Sequence, residues 1–236
     1  MSPSVGLLYE GGELEALTGL LNYQDWILQS FAPYLRGRVV EIGAGIGTMT
    51  VLLRPLADSL VAVEPATNLL PALAKRLTGM NVEIVNATAG AYLQTMQPAS
   101  LDAIVMINVL EHIADDQAAL RACHRALSPG GHLLLFVPAL PALYSALDRR
   151  FGHFRRYARR EMQAGLLAAG FSIGRLTYMD LLGAPAWWAA CRILGVTRIP
   201  LRGARAYDRF MVPLTRVVEH VVRPPFGKSL MAAARA

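Results

Sequence analysis

Three groups of residues in this chain stand at spacings that chemistry can use. They are a glycine-rich turn opened by an acid, a second acid at the end of an apolar run, and histidines set among aromatic and basic residues. The turn reads Glu41-Ile42-Gly43-Ala44-Gly45-Ile46-Gly47-Thr48 and follows directly on a short apolar run. Glycines at such a place let the chain turn tightly and let a ligand approach bare backbone. The spacing of Gly43, Gly45 and Gly47 is Gly-x-Gly-x-Gly, not the Gly-x-Gly-x-x-Gly that cradles a pyrophosphate. Glu41 suits a ligand carrying ammonium or sulfonium charge better than one carrying phosphates. Glu64 ends the run Val61-Ala62-Val63-Glu64-Pro65. A carboxylate at a strand end accepts both hydroxyls of a ribose; the plainer alternative is a solvated loop acid.

His112, His153 and Tyr157 are the groups suited to taking a proton from a phenol or hydroxyl. His153 and Tyr157 lie in Gly152-His153-Phe154-Arg155-Arg156-Tyr157, and His112 follows Glu111. Each histidine has a structural alternative, as a helix cap or a packing residue. Glu111, His112 and His153 together also offer a carboxylate and two imidazoles to a divalent ion. The expectation is a metal-free site, with metal assistance as the alternative. The pairs Arg149-Arg150 and Arg155-Arg156 either clamp an acidic substrate or are solvated.

Elements must hold these groups in place. Apolar runs at 39–42, 60–63, 82–85, 103–107 and 132–137 read as buried strands. Between them, Met49, Leu52, Leu53 and Leu56, then Leu69, Leu70, Leu73 and Leu77, then Leu120, Cys123 and Leu127 recur at helical spacing. Asp115 or Asp116 is placed to cap the last of these helices, and Ser128-Pro129-Gly130-Gly131 to end it. Such alternation predicts βαβ units and a parallel sheet. A sixth strand is expected at 171–178, a last one at 230–235 and an amphipathic helix at 21–35. Residues 139–160 and 180–227 fall outside the repeating pattern. The second stretch is poorly periodic; its Trp187 and Trp188 either line a greasy acceptor pocket, rest at a membrane surface or pack a lid onto the sheet. Tyr23 and Trp26 either close over a ligand or pack the core.

Bulk properties narrow the classes. With 236 residues, 54% of them hydrophobic, the chain can bury a sizeable core. Two cysteines are too few for a disulfide framework or a metal knuckle, which points to a reducing, cytoplasmic compartment. The uncharged stretch 181–191 contains Pro185 and falls short of the ~20 residues a spanning helix needs. Residues 1–10 lack the flanks of a signal peptide. The net charge of +6 fits an anionic partner or a solvated arginine face.

Four motifs in order carry a resemblance: the Glu-x-Gly-x-Gly-x-Gly run, Glu64, Asn108-Val109-Leu110-Glu111-His112, and Leu127-Ser128-Pro129-Gly130-Gly131. Over residues 39–178 the chain resembles class I S-adenosylmethionine (SAM)-dependent methyltransferases, in particular the bacterial small-molecule group that includes quinone-ring methylating enzymes. The resemblance implies an α/β, Rossmann-like, seven-stranded mostly parallel sheet with helices on both faces and a reversed last strand. With the N-terminal helix and lid insertions this makes one domain over 1–236, its cofactor core at 36–178 and its substrate-side insertions at 139–160 and 180–227. It implies SAM as cofactor and S-adenosylhomocysteine as product. Glu41, Gly43, Gly45, Gly47 and Thr48 would hold the methionine part, Glu64 and Pro65 the ribose, and Ala87 and Thr88 the adenine, with Asn108 and Val109 completing the set. The family commonly has an Asp in the adenine turn, where this chain reads Asn86-Ala87-Thr88.

The expected reaction is methylation of a small-molecule or lipid-like acceptor, on oxygen, with peripheral membrane contact as an open partner and no nucleic acid. A nucleic-acid methyltransferase conflicts with Asn108-Val109-Leu110-Glu111, where amino-directed enzymes carry Asn/Asp-Pro-Pro-aromatic. A nicotinamide oxidoreductase conflicts with the glycine spacing. A non-catalytic, membrane-associated module of the same fold stays as a third alternative.

Overall fold

The computed structural model describes residues 8–9, 18–197 and 200–236. Seven strands among them form one sheet: β1 (Arg38–Ile42), β2 (Ser59–Val63), β3 (Glu83–Val85), β4 (Leu101–Ile107), β5 (Leu127–Pro138), β6 (Ser172–Met179) and β7 (Ser229–Arg235). Their order is β3-β2-β1-β4-β5-β7-β6. β1 to β5 run parallel, and β7 inserts antiparallel to both β5 and β6. The central strands lack alternation because both sheet faces are covered, so side chains on either face are mostly apolar. Val40, Ile42, Ile104 and Met106 are buried on one face; Val39, Ala103 and Val105 are buried on the other, beneath Ile27 and Phe31 of α1 (Leu21–Phe31).

The remaining helices of the core are α2 (Thr48–Leu53), α3 (Leu70–Arg76), α4 (Ala89–Thr95) and α5 (Asp116–Ala126). Asp115 caps α5, its Oδ1 accepting from the Ala118 N–H at 2.9 Å. After β5 come α6 (Ala146–Arg150) and α7 (Arg159–Ala168). Between β6 and β7 lie α8 (Gly183–Trp188), α9 (Leu201–Ala206) and α10 (Val212–Val221). Chain direction reverses in sheet order between β1 and β4, which opens a crevice outside their C-terminal ends, where open α/β sheets receive ligands.

The structure departs from the sequence reading in three places. The N-terminal helix stops at Phe31, not 35, because Pro33 tightens the chain into a 3₁₀ turn over Ala32–Tyr34. β5 begins at Leu127 and passes through Ser128-Pro129-Gly130-Gly131 instead of starting after it; its pairing with β4 slips between Leu101 and Ala103, and Gly130 takes φ +82°. The stretch expected to be irregular, 180–227, is largely helical. π-turns at Ala189–Ile193 and Tyr207–Met211 insert extra residues that break the 3.6-residue period, so the pattern is blurred in the sequence. The reading of residues 1–10 as lacking a signal peptide lies, but for Leu8 and Tyr9, outside the described residues. No described helix is long and apolar enough to cross a membrane.

Candidate active site

At the C-terminal ends of β1 and β2 the backbone forms a rim. Gly43, Gly45 and Gly47 take φ of +78°, +57° and +81°, which L side chains rarely adopt. A Cβ on Gly43 would stand 2.3 Å from Val109 Cγ2, so the chain after β4 is pressed directly against this turn. Glu64 is buried at the end of β2, with Oε2 accepting from the Gly45 N–H at 2.7 Å and Oε1 from the Ala66 N–H at 2.8 Å. Burial pushes its carboxyl up and these two N–H donors hold it back. Asn86, after β3, donates its amide to the carbonyl oxygens of Glu64 at 2.7 Å and Pro65 at 3.1 Å, tying three strand ends into one ledge.

Not every residue assigned to this rim has a free side chain. Glu41 points beneath α2, where its carboxyl accepts from the Thr50 hydroxyl; burial lifts it to about 8, against the Thr50 bond and with help from nearby Glu64. The Thr48 hydroxyl accepts from Arg76 at 2.8 Å, and the Thr88 hydroxyl caps α4 by accepting from the Ala91 N–H at 3.2 Å. These two residues can meet a cofactor through backbone or through their remaining hydroxyl capacity. Asn108 sits at φ +52°, its N–H donating to the Phe136 carbonyl at 2.8 Å, and marks where the rim meets a cavity.

That cavity, about 360 Å³, lies over the ends of β4 and β5. Phe136, Pro138, Trp187, Ala190, Val196 and Tyr207 give it apolar walls, and its polar groups gather at two ends. At one end stand His112 and His153, their rings edge to face with centroids 4.7 Å apart. His153 Nδ1 lies 3.1 Å from Asp148 Oδ1. Asp148 is fully buried; burial pushes its carboxyl up, but His153, Arg156 and Ser145 outweigh this and hold it at about 2. An ionised carboxylate can only accept, so the Nδ1 that faces it carries a proton. Ser145 N–H and Oγ (both 2.8 Å) and Arg156 Nε (2.7 Å) fill the other lone pairs of Asp148. Arg156 in turn lies over the Trp187 ring at 4.8 Å. Desolvation and the neighbouring His153 depress His112 to about 4, so it is neutral at pH 7.

Behind this pair, Glu111 is fully buried, and neither of its carboxylate oxygens has a hydrogen-bond partner among the described residues. His153 Nε2 is 4.0 Å from Glu111 Oε1, and burial lifts Glu111 to about 8. At the other end of the cavity, Lys228 Nζ lies 2.8 Å from Asp180 Oδ2 and 4.7 Å from the centre of the Tyr23 ring, and Tyr207 donates its hydroxyl to Asp180.

Of the proposed catalytic residues the structure brings together His112 and His153 and separates Tyr157. The Tyr157 hydroxyl is buried, donating to Asp116 Oδ2 at 2.9 Å or Leu110 O at 3.2 Å, and it lines a different, polar cleft. Neither Arg155 nor Arg156 is free to clamp an acidic substrate: Arg155 is paired with Asp116 at 2.9 Å and Arg156 with Asp148. Trp187 lines the cavity while Trp188 is exposed; Tyr23 lines it and Trp26 packs against the core. Sequence reasoning missed Asp148, Asp180 and Lys228. The available signal for Asp148 was Ser145-Ala146-Leu147-Asp148, a capping-box pattern, which says helix start and not histidine partner.

The rim fits SAM. Its glycines leave backbone bare, and Glu64 is a buried carboxylate that holds only backbone N–H groups, chemistry that suits an amino-acid tail and sugar hydroxyls. Fold and rim together define a class I SAM-dependent methyltransferase. A family model described as "Methyltransferase domain" matches residues 21–175, and the chain belongs to that family. Among curated proteins it is similar to the ubiquinone biosynthesis O-methyltransferase of Ralstonia nicotianae, 31% identical over 111 residues (46% of each chain). The enzyme of that name from Azotobacter vinelandii is 27% identical over 162 residues, 61% of this chain and 69% of that one. The match thus spans about half the length of most of these relatives. Two solved structures show the same fold. A SAM-dependent methyltransferase from Archaeoglobus fulgidus aligns with TM-score 0.62 at 17% identity, covering 93% of this chain and 94% of that one. The phosphoethanolamine N-methyltransferase 2 of Haemonchus contortus, in complex with SAM, aligns with TM-score 0.62 at 18% identity, covering 91% of this chain and 52% of that one.

Proposed function

We propose that the chain moves the methyl group of SAM to a hydroxyl oxygen of a small, largely apolar or lipid-like acceptor held in the cavity beside Asn108. The observation that carries this reading is the His153–Asp148 pair set into the wall of an otherwise apolar cavity next to the cofactor rim. Bound SAM supplies a methyl on a sulfonium, already joined to a good leaving group. The protein's part is then to align, to exclude water and to remove one proton. Gly43, Gly45, Gly47, Thr48, Glu64, Pro65, Ala87, Thr88, Asn108 and Val109 form the cofactor side, with Glu41 buried beneath them on Thr50. His153 takes the acceptor's proton at Nε2, Asp148 fixes its tautomer and stabilises the imidazolium, and neutral His112 orients the hydroxyl. The apolar walls hold a ring or short chain in a volume within the usual range for small-ligand sites. The relatives named for ubiquinone O-methylation support an oxygen acceptor. The chain's two free cysteines support a cytoplasmic setting.

Incubation with methyl-labelled SAM and a panel of lipophilic phenols tests this. Label is expected in the organic extract and should fall roughly a hundredfold with His153→Gln. Transfer to amines only, or undiminished transfer by that variant, would refute the assignment.

One observation favours a second reading. Glu111, His112 and His153 each bring a ligand atom within 4.8 Å of the others, and Glu111 is an unpartnered buried acid. These three residues would hold a divalent ion, which would orient and acidify an acceptor with adjacent oxygens. A calorimetric titration with magnesium or zinc, and loss of transfer on chelation, distinguishes the two.

A further inference from the structure

The segment between β6 and β7 has two unlike faces. Its inner side, through Trp187, Ala190, Ala204 and Tyr207, lines the cavity. On its outer side Phe210, Leu214, Val217 and Val221 follow one another at intervals of four, three and four, which places them on one helical stripe. All four are exposed, at 65%, 50%, 66% and 81%. The opposite side of the same helix is the one that packs, with Val212 and Thr215 buried. A surface helix of a soluble domain shows the reverse, so this stripe is built for an apolar neighbour. Trp188, Ile193 and Leu194, also exposed, extend the apolar surface of the segment.

Charge identifies the neighbour. Arg192, Arg202, Arg205, Arg209 and Arg223 are exposed around these apolar residues, and the Arg209 guanidinium lies 5.5 Å from the centre of the Phe210 ring. Residues 181–227 contain only two acids, and both are turned inward. Asp208 accepts from the Tyr23 N–H at 2.9 Å, and Glu219 from the Leu181 N–H at 2.7 Å. An outer face that is apolar along its crest, bordered by arginine and given no outward acid by residues 181–227 matches an anionic bilayer, which takes apolar side chains below its headgroups and arginines among them. A second copy of this chain would meet like charge across the same stripe.

We propose that the 183–223 segment docks on an anionic lipid surface through Phe210, Leu214, Val217 and Val221, with its arginines in the headgroup layer. The docked segment is also a wall of the acceptor cavity. On the functional reading above, this gives a membrane-dissolved acceptor a short path to the site.

Co-sedimentation of the full chain with vesicles tests the proposal, using phosphatidylcholine alone and phosphatidylcholine mixed with phosphatidylglycerol. The mixed vesicles are expected to pellet the protein, less so as salt rises. Phe210→Ser/Val217→Ser/Val221→Ser should weaken the partition roughly tenfold or more. Arg202→Gln/Arg205→Gln/Arg209→Gln should erase the preference for the anionic lipid. Protein that stays in the supernatant with both vesicles, or a serine variant that pellets like the parent, would overturn it. So would ultracentrifugation showing a dimer that the serine variant dissolves, with no vesicle binding. SAM titration of each variant should give unchanged affinity. A parent chain that binds vesicles but not SAM would sink the functional reading and leave the docking surface standing.

Discussion

The two halves of the rim are built from different material. Over β1 and β2 the ligand surface is mostly backbone: three left-handed glycines, two N–H groups turned onto Glu64, and an Asn86 amide spent on carbonyls. Over β4 and β5 it is mostly side chain: apolar walls from helices that the sheet does not dictate, and a histidine held by a buried carboxylate. Backbone sites tolerate almost no change in the residues that shape them, because the conformation is the site. Side-chain sites can be re-lined while their scaffold stands. One half is therefore suited to a fixed cofactor, and the other to an acceptor that differs between relatives.

That contrast can be broken by substitution. The largest effect is expected at Gly43→Val, which adds side-chain atoms to a position at φ +78° whose Cβ alone would overlap Val109. SAM binding should fall below detection by calorimetry, with about 3 kcal/mol lost from the fold. A fully stable variant with ordinary SAM affinity would show that the turn is not the cofactor's seat. Next comes Asp148→Asn, which removes the acceptor that fixes the His153 tautomer. The rate of transfer should drop by roughly 10² to 10⁴ with SAM affinity untouched. Weakened SAM binding instead would mean that the two halves are not separable. On the proposed reading Glu64→Ala removes the sugar's acceptor and should weaken SAM by about a hundredfold. An unchanged isotherm would leave Glu64 a purely structural cap for Gly45 and Ala66.

The smallest effect concerns pH. Glu41, ordinarily near 4.5, stands at about 8 in the fold. Between these values the native chain keeps a proton that the unfolded chain has released, so Glu41 makes stability decline as pH rises across that window and adds no further slope above it. Glu41→Gln should flatten this part of a denaturation series recorded from pH 5 to 8. A slope identical to the parent's would place the proton elsewhere.

How much was legible follows the same division. The parallel strands could be read because a sheet covered on both faces demands long apolar runs, and the glycine turn because glycine adopts positive φ without steric cost. Glu64 could be read because its place at a strand end is set by the fold. The acceptor side was obscure for physical reasons. Residues 183–211 lose their period at two π-turns, so the helices there left only a blurred pattern. Asp148 stands five residues before His153 and would pass for a helix-start acid. Tyr157 looked equal to the histidines in sequence, yet a change of direction after Phe154 sends its hydroxyl to Asp116. Arg155 and Arg156 looked free because nothing local announces partners 39 and 8 residues away.

The central claim is that the backbone turn at Gly43–Gly47 and the carboxylate of Glu64 seat a sulfonium nucleoside at the C-terminal rim of the sheet. A crystal structure with S-adenosylhomocysteine tests it most directly. The account predicts both sugar hydroxyls on Glu64, the amino-acid tail along the glycine turn, and the sulfur facing the cavity that holds His153. A ligand lodged elsewhere, with Glu64 still closed on Gly45 and Ala66, would contradict it.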